Sequence, residues 1–163
     1  MTVGVEKALP AVLVESFTRN GRVNAGLLAA LTPTDLALSN GQDGNSVGEL
    51  LAHMAGFRRG WLGRISPEHA EGLASVSSGD GLEALQAAFA TGDQAALGAV
   101  RNALRNGLRF ERAYQSDPAH FLLHTMIHDS HHRGQIFTLL RQSGRAAEQM
   151  DELEEAVWPI WRE

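Results

Sequence analysis

Residues 124–135 read HTMIHDSHHRGQ and hold four of the chain's seven histidines: His124, His128, His131 and His132. Imidazoles gathered this closely need a reason. Each requires a hydrogen-bond partner when buried, and their protonated forms repel one another. A divalent cation removes both difficulties by taking neutral ring nitrogens at about 2.0–2.1 Å. Successive helical residues turn by about 100°, so His132 lies about 40° to one side of His128. Gln135, His124 and His131 lie about 20°, 40° and 60° to the other side. Phe121 and Leu139 share this face, which predicts that it turns inward, with Asp129 and Arg133 pointing elsewhere.

The i,i+4 pair His128/His132 can converge on one ion, but two ligands rarely suffice. The third expected ligand is His53, in SVGELLAHMAGFRRGWLGRI, on a face with Leu50, Phe57 and Gly60 that is also expected to turn toward the core. Gly56 and Gly60 leave room beside it for a helix neighbour or a ligand. The predicted metal ligands are therefore His53, His128 and His132. His124, His131 and Gln135 are the predicted catalytic groups, orienting substrate or managing protons rather than ligating. Arg133, on the helix's flank, is read equally as a substrate-anion contact or a surface ion pair. His69 and His120 read as surface residues.

Helices must position these groups. Apolar residues recur at helical spacing almost throughout, without a run of alternating β-branched residues. The first helix is expected over about residues 8–31, with Pro10 in its opening turn. A polar connection follows, and Ser46 with Glu49 forms a capping box that starts a second helix running to about Ile65. Residues 66–81, rich in Ser and Gly, read as a long loop, either a lid or surface. A short helical piece near 81–90 precedes a third long helix over about 93–115. The fourth is expected to open with Asp117 as N-cap and Pro118 at its first position, and to stop at Gly144. A last acidic helix ends at Pro159 in WPIWRE, whose tryptophans are expected to close the core or else to join a dimer contact. The fold class is all-α, a four-helix bundle with additional short helices, in a single domain over 1–163.

Composition narrows the partners. The chain carries 14 Lys+Arg against 19 Asp+Glu for a net charge of −5, and Lys7 is its only lysine. No basic stripe gathers, so nucleic acid is not an expected partner. There is no cysteine, hence no disulfide and no protein thiolate. Neither a leader-like N-terminus nor an apolar stretch of about 20 residues is evident, so a soluble, cytoplasmic protein without membrane contact is expected.

SVGELLAHMAGFRRGWL, with His53, and LLHTMIHDSHHRGQIFTLLRQSG, with His128 and His132, resemble the ligand-bearing helices of the DinB/YfiT-like superfamily of metal-binding four-helix bundles. NAGLLAAL before LTPTDL is similar too. The resemblance implies zinc or nickel, with iron or manganese as further options, and a homodimer. It also implies one of several activities: S-transfer with a low-molecular-weight thiol such as bacillithiol or mycothiol, thiol-dependent isomerisation, or metal-dependent hydrolysis. The protein brings no thiol of its own, so an S-transferase using a metal-activated small thiol and an electrophile is the leading expectation. A metal-dependent hydrolase and a non-catalytic metal-binding or stress protein are the alternatives. His128-Asp129-Ser130-His131-His132 also reads as an H-D-x-x-H variant of the zincin motif with Asp129 as base, a weaker peptidase reading.

Overall fold

The computed structural model describes the backbone of residues 3–163 and the side chains from residue 9 onward. The start of the N-terminal stretch read for a leader lies outside the described residues. Among the described residues six α-helices form: α1 (Val3–Ala30), α2 (Val47–Ile65), α3 (Pro67–Ala70), α4 (Gly81–Asn106), α5 (His120–Gln142) and α6 (Ala147–Val157). Short 3-10 turns cover Pro33–Ala37, Ser78–Asp80 and Trp158–Arg162, and the described residues contain no strand. No described helix is long and apolar enough to cross a membrane.

The chain direction follows from which residues meet. Leu27 and Leu28 of α1, Leu50 and Leu51 of α2, Leu85 and Phe89 of α4, and Ile136 and Leu140 of α5 form one apolar cluster. Phe17, Leu62, Ala96, Ala99, Val100, Phe121 and Leu122 form a second at the other end. Thus α1 and α5 run one way and α2 and α4 the other. Parallel neighbours need a connection that travels the length of a helix, about 28 Å for the residues of α2. This accounts for residues 66–80: the expected loop is a crossover, with Leu73 packed on the second cluster and Val76 on the first. α6 then returns along α1, where Gly26 faces the Ala156 carbonyl.

The start of α2 is as expected: Ser46 Oγ accepts from Glu49 N, and Glu49 Oε2 accepts from Ser46 N at 2.7 Å. Asp117 Oδ1 accepts from Ala119 N at 2.8 Å, so it caps the entry to α5, although regular helix begins only at His120. Two expectations fail in α4. It is one helix rather than two, and it stops at Gly107, whose φ of 63° is the left-handed conformation that ends helices, rather than near 115. The apparent break at Thr91-Gly92-Asp93 has another cause. A Cβ at Gly92 would lie 3.2 Å from Arg58 Cβ and 3.1 Å from Arg58 Cδ. Glycine is there to let the Arg58 side chain pass.

That arginine belongs to a layer at the waist of the bundle, between the two apolar clusters. Asn20, Asn24, Arg58 and Asp129 are all 0–1% exposed, one or two from each of α1, α2 and α5. Arg58 Nη1 and Nη2 donate to Asp129 Oδ1 and Oδ2 at 2.9 and 2.7 Å, and its Nε donates to Asp93 Oδ1 of α4 at 2.6 Å. Asn20 Nδ2 and Asn24 Nδ2 donate to Asp129 Oδ2 at 2.7 and 2.8 Å. Their carbonyl oxygens accept from Arg133 Nη1 at 2.9 and 2.7 Å. Burial alone raises the Asp129 pKa; the Arg58 charge and hydrogen bonds, with help from Asn24, outweigh it and hold the carboxyl well below the usual carboxylate range. Asp93 goes the other way, because burial and the Asp129 charge exceed what Arg58 returns to it.

Candidate metal centre

Burial of Asp129 sets the rotation of α5. Its buried positions are Phe121, Leu122, Thr125, Asp129, Ile136 and Leu140; apart from Phe121, which turns inward as expected, they centre about 100° round from where the histidine stripe was expected to point. The expectation that the histidines face the core is thereby corrected. His128 and His132 lie half-buried at the edge, and His124, His131 and Gln135 are exposed. Asp129, expected to point away, is the one acid of the helix and is fully buried.

Turned to the edge, the stripe meets α2. His53, His128 and His132 each offer a ring nitrogen, all within 4.8 Å of one another. The ring centroids are 4.8 Å apart for His53 and His128, 4.7 Å for His53 and His132, and 4.5 Å for His128 and His132. His53 Nε2 stands 3.0 Å from His128 Nε2, close to the roughly 3.3 Å between two nitrogens bound tetrahedrally to one zinc-sized ion. His132 Nδ1 is held by Gln135 Oε1 at 2.7 Å, which fixes the proton on Nδ1 and leaves Nε2 for the cluster. Burial, then the neighbouring His128 charge, lowers the His53 pKa. Burial also lowers that of His132, against an opposing contribution from Gln135. Both shifts favour the neutral, ligating form.

His128 Nδ1 is buried and has no hydrogen-bond partner among the described residues. Asp129 Oδ1 stands 3.9 Å away, too far for a hydrogen bond but placed to favour a proton on Nδ1. With Nδ1 protonated, Nε2 presents its lone pair toward His53. Three converging imidazoles with no carboxylate in the group suit a borderline divalent cation.

Beside the cluster stands an aromatic wall that sequence reasoning did not assemble. Phe57 stacks on His128 at 4.0 Å between centroids and meets His124 edge-on at 5.1 Å. Trp61 packs against Tyr114, whose hydroxyl is 2.8 Å from His124 Nδ1. Burial pushes the Tyr114 phenol up to about 12, so it stays protonated. His124 is thus joined to Tyr114 rather than to the cluster, and His131 touches only the rim through the His132 ring at 4.9 Å. Gln135, expected to orient substrate or manage protons, accepts from the His132 ring. Gly56 and Gly60 have open space where a Cβ would stand, so no helix neighbour uses the room they leave. His69, near Ser66, and His120, near Ser116, lie outside the group.

The model of the DinB family matches residues 1–163. The chain belongs to the DinB family. Comparison with curated proteins and with solved structures returns no match. Within this DinB-family chain, the residues missed by sequence reasoning are those of the waist: Arg58, Asp93, Asn20 and Asn24. The signal for them was a polar residue on an apolar stripe. Arg58 shares the inward face of α2 with Leu51, Met54, Ala55 and Leu62. The same geometry removes the peptidase reading of H-D-x-x-H, because both oxygens of Asp129 are already engaged by Arg58 and the two asparagines.

Proposed function

We propose that this DinB-family protein is a metal-dependent S-transferase, in which His53, His128 and His132 hold a divalent cation that activates a small thiol. One observation supports the reading above others: three imidazoles converge at an edge open to solvent, with no carboxylate among them, in a chain without cysteine. A bound cation of this kind lowers the pKa of a coordinated thiol. Gln135 keeps the His132 ring in register through its Nδ1. Phe57 and Trp61 offer an apolar face to the organic part of a substrate and exclude water on that side.

In the reaction a sulfur–carbon bond forms and the bond from that carbon to its leaving group breaks. The leaving group departs with the electron pair, and the thiol proton passes to His124 or to solvent. Burial lowers the His124 pKa and favours the neutral ring; with Nδ1–H donating to the Tyr114 hydroxyl oxygen at 2.8 Å, Nε2 keeps the lone pair that accepts the proton.

The test is conjugation of an electrophilic dye by the zinc- or nickel-loaded protein with bacillithiol, mycothiol, glutathione or cysteine, followed by mass spectrometry. A metal-dependent conjugate that disappears in His53→Ala supports the proposal. Absence of any conjugate above the metal-free rate rejects it. Ester hydrolysis by the same loaded protein without thiol would move the assignment to a hydrolase using the same imidazoles.

A further inference from the structure

The flank of α5 opposite the histidines borders a groove of about 630 Å³, walled on its other side by the end of α6 and the tail. Leu123, Met126, Ile127, Phe137, Trp158 and Trp161 line it. The tryptophans do not close the core as expected: Trp158 is 57% exposed, beside Ile127 at 60%. Large apolar side chains concentrated in one concavity mark a binding site more often than ordinary surface does. The tail that forms the wall is pinned to α1, with Arg19 Nη1 donating to the Ile160 carbonyl and Arg22 paired with Glu163 at 2.6 Å.

Two cations line this groove, and Arg141 is already paired with Glu154, which leaves Arg133. Arg133 Nη1 is spent on the Asn20 and Asn24 carbonyl oxygens, which lock the guanidinium in place. Its Nε and Nη2 donate to nothing among the described residues, and neither is sealed from solvent. These two nitrogens form the edge of a guanidinium that grips a carboxylate with parallel hydrogen bonds. Arg19 uses that same edge on Glu15. The acid that lines the groove, Glu154, is already paired with Arg141. A guanidinium edge without an internal partner therefore belongs to a residue that lines an apolar trough.

We propose that this groove binds an amphipathic organic anion, a carboxylate with an apolar chain or ring. Its head takes the Nε–Nη2 edge of Arg133, and its body lies on Ile127, Trp158 and Trp161. The volume suits a ligand of ordinary cofactor or metabolite size. None of these residues belongs to the histidine cluster, so the inference stands apart from the thiol reading.

Dodecanoate below its micellar concentration is the probe, titrated into the full-length protein by calorimetry and by tryptophan fluorescence. One saturable site is expected, with methyl dodecanoate binding roughly ten- to a hundredfold more weakly for want of the charge-assisted pair. Arg133→Met is expected to show the same loss. Ile127→Glu, at an exposed position where folding is not at stake, is expected to abolish binding by charging the trough. Equal binding of acid and ester, or of wild type and Arg133→Met, overturns the proposal. So does a failure of dodecanoate to bind while Ile127→Glu converts a dimer to a monomer, since a second copy would then fill the groove.

Discussion

Replacing Asp129 by Ala gives the sharpest test of how the waist of the bundle is held. Four side-chain donors point at this carboxylate: two from Arg58 and one each from Asn20 and Asn24. Arg58 is 0% exposed, so the variant strands a buried guanidinium with only Asp93 and the Met54 carbonyl to satisfy it. Breaking one side of a buried pair costs about 3–5 kcal/mol. For a domain of this size each kcal/mol moves Tm by about 2–4 °C, which predicts a fall of roughly 6–20 °C. The double variant Arg58→Met/Asp129→Leu removes both charges together and fills the space with apolar atoms. It is expected to lose at least about 1–2 kcal/mol less than the two single changes added, because no stranded charge remains. Urea unfolding of wild type, Arg58→Met, Asp129→Leu and the double variant, each with and without chelator, measures the cycle, and Asp129→Ala is run beside them. A loss below about 1 kcal/mol in Asp129→Ala, or strict additivity in the double variant, would refute the reasoning.

The same pair sets an acid limit. The Asp129 pKa is depressed in the folded state, so its contribution is complete above its unfolded value of about 3.9 and is lost as pH falls through the folded value. Asp93, raised on folding, contributes in the opposite sense and offsets part of this. The stability gap between wild type and Asp129→Ala should therefore be constant from pH 7 to about 5 and shrink below about 4.

Other expectations follow from single residues. Gln135→Ala releases the His132 ring and should weaken zinc binding by about 10–100-fold with the helical circular dichroism unchanged, as read by competition with a chromophoric chelator. Ser46→Ala removes the α2 cap and should cost about 1 kcal/mol in urea unfolding. Gly63→Ala, where a new Cβ meets nothing within 4 Å, should gain about 0.5–1 kcal/mol from helix propensity. Gly92→Ala should show no such gain, because the new Cβ presses on the Arg58 side chain; an equal gain at both positions would mean that this contact relaxes freely.

Much of this architecture is legible in the residues. The capping box at Ser46, the turn formers before it and the cap at Gly144 mark helix ends through local chemistry, and local chemistry is what a sequence records. The grouping of His53, His128 and His132 was legible because three imidazoles at compatible spacings have few other uses. The phase of α5 was not legible. Apolar residues such as Leu123, Ile127 and Leu139 surround this helix, so no single stripe dominates, and the histidines themselves were taken to mark the inside. The true inward face carries Asp129, which a hydrophobicity pattern assigns to solvent. The continuity of α4 was hidden for a related reason. Thr91-Gly92-Asp93 is a turn signal locally, and only the Arg58 side chain lying across it explains the glycine.

The two polar features of the bundle are geometrically one arrangement. Adjacent helical residues differ by about 100°, so drawing Asp129 into the waist necessarily leaves His128 at the boundary rather than in the core or fully in solvent. On α2, Arg58 and His53 differ by about 140°, and the contact that draws Arg58 inward turns His53 to the exposed edge. The Arg58–Asp129 pair therefore fixes both helices in the rotation that lets the three imidazoles meet. An apolar contact at the waist would tolerate a range of rotations, whereas paired hydrogen bonds at 2.7 and 2.9 Å tolerate few. This makes a distinction that stability data alone miss. If the pair sets rotation, the Arg58→Met/Asp129→Leu protein should keep its fold and much of its stability yet bind zinc at least about tenfold more weakly than wild type, an effect of the size found when groups supporting metal ligands are lost. Wild-type zinc affinity in that double variant would show that packing elsewhere already holds α2 and α5 in place.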